Sequence, residues 1–158
     1  MNRKKIIQLF ELLQKNISGN IKFNYWLAKT RTKLKGEIKA IKEAIKYDDD
    51  FIKYQNERIA LCEKYAKKDK EGNPIIKNNN FIIDNEKDFE KEIETLKQKY
   101  SETIKKAEER TKEIEQFLET TTDTQIPQIN INDIPDNAFS PEEIELLIEL
   151  NIITENPE

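Results

Sequence analysis

Apolar residues recur along this chain at helical spacing in two long stretches, separated by a short insert rich in turn-forming residues. Ile38, Ile45, Ile52, Ile59 and Ala66 keep a seven-residue spacing before the insert, and Ile93, Tyr100, Ala107 and Ile114 keep it afterwards. That spacing returns residues to one helix face, so the two stretches are expected to pair as an antiparallel hairpin of coiled-coil type. Between them lie Gly72, Asn73 and Pro74. Proline removes a backbone donor and glycine is free to take positive φ, so the chain turns here.

Local spacing and turn residues predict the remaining elements. Residues 3–17 read as a first amphipathic helix carrying Ile6, Ile7, Leu9, Phe10, Leu12 and Leu13, closed by Asn16, Ser18, Gly19 and Asn20. The second helix is expected to run unbroken over residues 21–69, with a break at Asp48 to Asp50, capped by Asp50, as the alternative. A second row on this helix, Ala44, Tyr47, Phe51, Tyr54, Arg58, Leu61 and Tyr65, advances by threes and fours and widens its apolar face. Residues 70–84 predict a β-hairpin, because Ile75-Ile76-Lys77 and Phe81-Ile82-Ile83 flank Asn78 to Asn80, and asparagine tolerates the left-handed conformation of tight turns. A third helix follows over residues 85–120, capped by Asp84 or Asn85. In residues 121–158, Ile126, Ile129, Ile131 and Ile134 alternate with polar neighbours, as a strand laid on the helices or recruited by the hairpin would. Ser140-Pro141 then opens a short last helix. The predicted fold is thus mainly α, a single domain over residues 1–158: a long antiparallel helical hairpin with a β-hairpin tip, an extended tail strand and a short C-terminal helix.

Charge changes this picture by dividing the chain into blocks. Residues 1–46 hold 12 bases against 3 acids, residues 47–119 hold 15 against 19, and residues 120–158 hold 9 acids and no base. The ends therefore carry net charges of +9 and −9 around a middle of −4. A basic block often attracts nucleic acid, but here the acidic tail can neutralise it by direct contact. Arg31, Lys35, Lys39, Lys42 and Lys46 repeat at steps of four, four, three and four, a basic stripe along one face of the second helix.

Candidate chemistry is sparse. The chain has no histidine and one cysteine, Cys62, which removes Ser-His-Asp and Cys-His nucleophile systems, His-based zinc sites and any internal disulfide. Glu90 with Glu94 and Glu109 with Glu113 share faces at four-residue spacing, as expected on solvated helices holding many acids. No phosphate-binding glycine loop or EF-hand pattern occurs. No enzyme activity, cofactor or metal is expected. Without a run of about 20 apolar residues no membrane contact is expected either, and the chain is placed in the cytoplasm.

Certain segments carry a resemblance. Glu57-Arg58, Glu63 to Ala66, Asp69 to Pro74, the Phe81 to Asp84 strand, and Ile126-Pro127 with Ile129, Ile131, Asp133-Ile134 and Ser140-Pro141 resemble a family of small uncharacterised phage and prophage proteins, a domain of unknown function in which two long helices flank a Lys-Asp-x-x-Gly-Asn-Pro insert. The resemblance implies a phage-encoded accessory protein in a bacterial host cell. Such a protein would bind a protein partner non-covalently, as an assembly factor or as an inhibitor of a host or defence protein. The residues expected to meet that partner are Ile75, Ile76, Phe81, Ile83, Tyr54 and Tyr65. A homo-oligomer is also expected from the leftover aromatic row. Two alternatives stay open: an oligomeric sponge for a small nucleotide signal, and nucleic-acid binding through the basic stripe.

Overall fold

The computed structural model describes residues 1–154. It is mainly helical: α1 (Arg3–Leu12), α2 (Ile21–Ala44), α3 (Asp49–Tyr65), α4 (Glu86–Lys99), α5 (Ser101–Glu119) and α6 (Pro141–Glu149). Two small two-stranded sheets complete it, β1 (Ile76–Lys77) with β2 (Asn80–Phe81) and β3 (Ile129–Asn130) with β4 (Ile153–Thr154). Contacts gather into two compact units, one formed by Met1–Lys46 with the stretch from Ile114 onward, the other by Tyr47–Glu113.

The continuous second helix expected over residues 21–69 is corrected to two helices. Helix α2 stops at Ala44, and Asp48, not Asp50, caps α3 by accepting the Phe51 N–H at 2.8 Å. A short acidic side chain satisfies the orphan N–H groups at a helix start better than it serves a helix interior, so the aspartate run restarts the helix. The restart resets the heptad phase. Ile52 and Ile59 are 46% and 43% exposed, while Tyr54 of the second row is buried. The third helix is likewise interrupted at Tyr100, whose φ of −109° and ψ of 21° separate α4 from α5.

In the first unit, Ile6 and Leu9 of α1, Leu13 at its C-cap, and Phe23, Trp26, Leu27, Leu34 and Ile41 of α2 form one core with Ile129, Phe139, Leu147 and Ile152. The Trp26 indole N–H donates to the Pro127 carbonyl at 2.8 Å, which ties the tail to α2. The strand expected over residues 125–134 shrinks to β3, and its partner is β4, in parallel register Ile129 to Ile153, rather than the β1–β2 hairpin. Ser140 caps α6 in a full capping box with Glu143, behind Pro141 at the first helical position. The oppositely charged end blocks meet directly: Lys5 pairs with Glu149, Lys15 with Glu143 and Lys22 with Asp133, while Lys4 pairs with Glu119 of the middle block. The Lys15 ammonium, together with the Ser140 backbone N–H, holds the Glu143 carboxyl below its ordinary range.

In the second unit, Asn78 and Asn79 take φ of 51° and 61°, the positive pair that a two-residue hairpin turn requires, and Ile76 faces Phe81. The chain leaving α3 covers this hairpin. The Lys67 N–H donates to the Ile82 carbonyl, the Ile75 N–H to the Lys67 carbonyl and the Asp84 N–H to the Tyr65 carbonyl. Asp69 closes the preceding turn by accepting from the backbone N–H groups of Glu71 and Asn73, which hold its carboxyl below the usual value.

Candidate functional site

Helices α3 and α4 of the second unit pack through a repeated set of side chains. Glu57-x3-Leu61-x2-Lys64-Tyr65 on α3 and Glu92-x3-Leu96-x2-Lys99-Tyr100 on α4 are the same pattern, each position 35 residues after its mate, and Tyr54 and Phe89 extend it by one turn. The contacts obey the same exchange. Lys64 Nζ and the Tyr65 hydroxyl both donate to Glu92, at 2.8 and 2.7 Å. Lys99 Nζ and the Tyr100 hydroxyl both donate to Glu57, at 2.9 and 2.7 Å. The Tyr54 ring lies 5.5 Å from that of Tyr100, and the Tyr65 ring 6.0 Å from that of Phe89. The pair therefore has an approximate two-fold axis passing between Leu61 and Leu96.

Local chemistry explains why each cluster holds together. The carboxylate takes one charge-assisted bond from an ammonium and one from a phenol, both anchored on a single Lys-Tyr dipeptide. Glu57 is held below its ordinary pKa by Lys99 and then Tyr100, and Glu92 by Lys64 and then Tyr65. In return Glu92 raises Lys64 and Tyr65, and Glu57 raises Lys99.

The seam leaves two grooves, one on each side. A groove of about 480 Å3 is walled by Phe51, Cys62, Phe89, Ile93 and Ile104, with Arg58 and Lys97 among its polar residues. A second, of about 340 Å3, has Leu61 and Leu96 at its centre and Glu57, Glu92, Thr95 and Lys99 around them. The two-fold exchange relates Arg58 to Ile93 and Cys62 to Lys97 within the first groove, and Glu57 to Glu92 within the second. Little of this unit is sealed. Of its side chains only Tyr54, Ala66, Tyr100 and Ala107 are buried apolar groups, and α4 contains no buried residue.

The sequence-derived candidates fall in different places. Tyr54 and Tyr65 lie in the α3–α4 seam, Tyr54 buried and Tyr65 half-buried. Ile75, Phe81 and Ile83 are half-buried within the β-hairpin cluster, and Ile76 is 58% exposed at its surface. The basic stripe is divided. Arg31 donates from Nε to the Leu13 carbonyl and from Nη2 to the Lys15 carbonyl, each at 2.7 Å, which spends it on the end of α1. Lys46 pairs with Glu43, and Lys35, Lys39 and Lys42 stand exposed. Of the neighbouring aromatic trio, Phe23 and Trp26 are core residues and Tyr25 is 67% exposed.

No protein-family model matches the chain, and neither a curated protein nor a solved structure matches it. Among the described residues no group of three potential metal ligands comes together, and no helix is long and apolar enough to cross a membrane.

Sequence reasoning missed Glu57, Glu92, Lys64, Lys99, Leu61 and Leu96 as a set. The signal was present in the Glu-x3-Leu-x2-Lys-Tyr pattern occurring twice. Heptad counting passed over it because it tracks apolar positions, whereas this repeat is carried largely by charge.

Proposed function

We propose that the chain is a non-catalytic accessory protein, of the phage-encoded kind its resemblance implies, that acts by holding a protein partner in the groove beside Tyr54 and Phe89. Antiparallel pairing of the long helical stretches is the scaffold for that groove. One observation carries the reading: apolar walls from Phe51, Cys62, Phe89, Ile93 and Ile104 stand half-buried with no segment of their own unit across them. Apolar surface of this kind gains about 25 cal/mol per Å2 when covered.

The occupant fits as an amphipathic helix bearing carboxylates. A groove between two helices accepts a third helix through residues spaced by three and four. Arg58 and Lys97 have no carboxylate partner among the described residues, although Arg58 donates to the Gln55 side chain, and with Glu108 as the one acid in the lining the groove keeps a net positive charge. An acidic residue on either side of the partner's apolar stripe would answer them, and this complementarity selects the partner more than it tightens it.

Cys62, the only cysteine, lies inside the groove and allows a direct test. A benzophenone attached there should cross-link, in host lysate, to an acidic amphipathic helix, and the Arg58→Glu/Lys97→Glu variant should lose that product. Cross-linking that survives the double reversal, or joins only segments without carboxylates, overturns the reading. So does the absence of any product.

A further inference from the structure

We infer that the opposite side of the helix pair, centred on Leu61 and Leu96, is the docking face for a second copy of this chain. Glu57 and Lys64 lie one helical stretch apart on α3, and Lys99 and Glu92 lie beside them on α4, as the pairs Glu57–Lys99 and Lys64–Glu92 establish. Around the four corners of the face the signs therefore alternate, acid, base, acid, base, with two leucines in the middle.

Such a pattern is complementary to itself. When a second copy is turned over about a two-fold axis in the plane of the face, along the helices, Glu57 of one copy meets Lys99 of the other and Lys64 meets Glu92. Turned about the in-plane axis across the helices, Glu57 meets Lys64 and Lys99 meets Glu92. Either operation opposes unlike charges at all four corners and stacks leucine on leucine, as an isologous interface requires. The corner charges cancel, so the face does not select a polyanion or a polycation as a class.

Size sets the strength. The 17 residues of α3 span about 25 Å, and two helices side by side are about 20 Å wide, giving a face of roughly 500 Å2 per copy. Stable complexes bury about 800 Å2 on each partner, so this face supports a reversible, concentration-dependent dimer. The resulting assembly is a four-helix bundle made of two α3–α4 pairs. The partner groove is left open on its outer sides.

Charge reversal at all four corners provides the test. In the full-length Glu57→Lys/Lys64→Glu/Glu92→Lys/Lys99→Glu variant both ion pairs within a copy are kept in sign-reversed form, the Tyr65 and Tyr100 hydroxyls lose their carboxylate acceptors, and the face still complements itself. Against the original protein it opposes like charges at every corner, about either axis. Sedimentation should therefore show that each protein dimerises alone, while mixtures of distinguishably labelled proteins should contain self-dimers with no mixed species. Mixed dimers at the statistical proportion, or a monomer at high concentration for the original protein, overturn the proposal. A second variant guards against misfolding. Ala60→Arg/Thr95→Arg adds bulk and charge at two exposed, two-fold related positions beside the leucines. It should keep its helicity by circular dichroism and lose the dimer. Dimerisation that persists in this variant overturns the proposal as well. Arg58→Glu/Lys97→Glu should leave the dimer intact, which separates failure here from failure of the partner groove.

Discussion

The Tyr100 ring packs against Tyr54 at a centroid distance of 5.5 Å, at the residue that divides α4 from α5. Few other contacts in this unit are buried, so its stability concentrates there. Replacing Tyr54 by alanine removes the ring from Phe51 and from Tyr100 together and should cost about 3 kcal/mol. Hydrogen exchange should show loss of amide protection over α3 and α4, with α1 and α2 still protected.

The Glu-Lys-Tyr clusters make the helix pair sensitive to pH at both ends of the scale. Glu57 and Glu92 titrate below their unfolded values, so their contribution is present above about pH 4.3 and is lost as pH falls through the lowered values. Lys64 and Lys99 titrate above theirs, so that contribution is full below about pH 10.4 and is lost as pH rises through the raised values. Amide protection of α3 and α4 should be level between about pH 5 and 10 and fall on either side. Glu57→Gln/Glu92→Gln should flatten the acid limb. Because the groups are exposed, both limbs should be shallow.

Two glycines should respond in opposite directions to alanine. A Cβ on Gly19 would lie 2.3 Å from Pro135 Cγ and 3.0 Å from the Phe23 ring. A proline ring cannot swing away, so Gly19→Ala should destabilise the first unit by about 1–3 kcal/mol. Gly36 lies within α2 with nothing within 4 Å of its added carbon, and Gly36→Ala should stabilise by about 0.5–1 kcal/mol. Denaturant midpoints of the two variants should move to opposite sides of the original.

Arg31 is a further point of leverage. Its fork bonds two carbonyls where α1 ends, and Arg31→Ala should cost about 2 kcal/mol. Arg31→Lys should recover little, since a single ammonium on a flexible stem does not reproduce the planar fork. The thermal midpoint reads both. With Arg31 engaged in this way, the surface stripe reduces to Lys35, Lys39 and Lys42 beside the paired Lys46, and duplex DNA affinity should be weak and vanish at moderate salt.

How far these relations could be read from the sequence depended on what carried them. The mainly helical composition, the Asn78-Asn79 turn, the Ser140 cap and the Phe23–Trp26 anchor were legible because local propensity and local capping determine them. The α2–α3 break was visible only as an alternative at Asp48 to Asp50, since continuous heptads and a capping aspartate compete and apolar counting favours the former. Once the helix restarts, a shift of phase turns Ile52 and Ile59 outward, and no periodicity taken across the break could report it. Pairing of β3 with β4 rests on residues more than 20 positions apart that share no motif, so recruitment of the tail strand by the β1–β2 hairpin fails, whereas its place on the helices holds through Trp26 and Pro127. Contact between the charge blocks was legible from composition, but the individual pairs were not.

One hydrogen bond has a consequence for how this protein can change over time. The Tyr47 hydroxyl lies 2.9 Å from Thr111 Oγ1, so the chain comes into the second unit and leaves it at neighbouring points. The stretch between them behaves as an excursion from the polypeptide, closed at its base. Its helices can lengthen, shorten or exchange their exposed residues by whole turns without altering the separation of the ends that the rest of the chain must accommodate. Substitutions on the exposed faces of this stretch and substitutions in the core of the first unit then fall on different stretches of one gene.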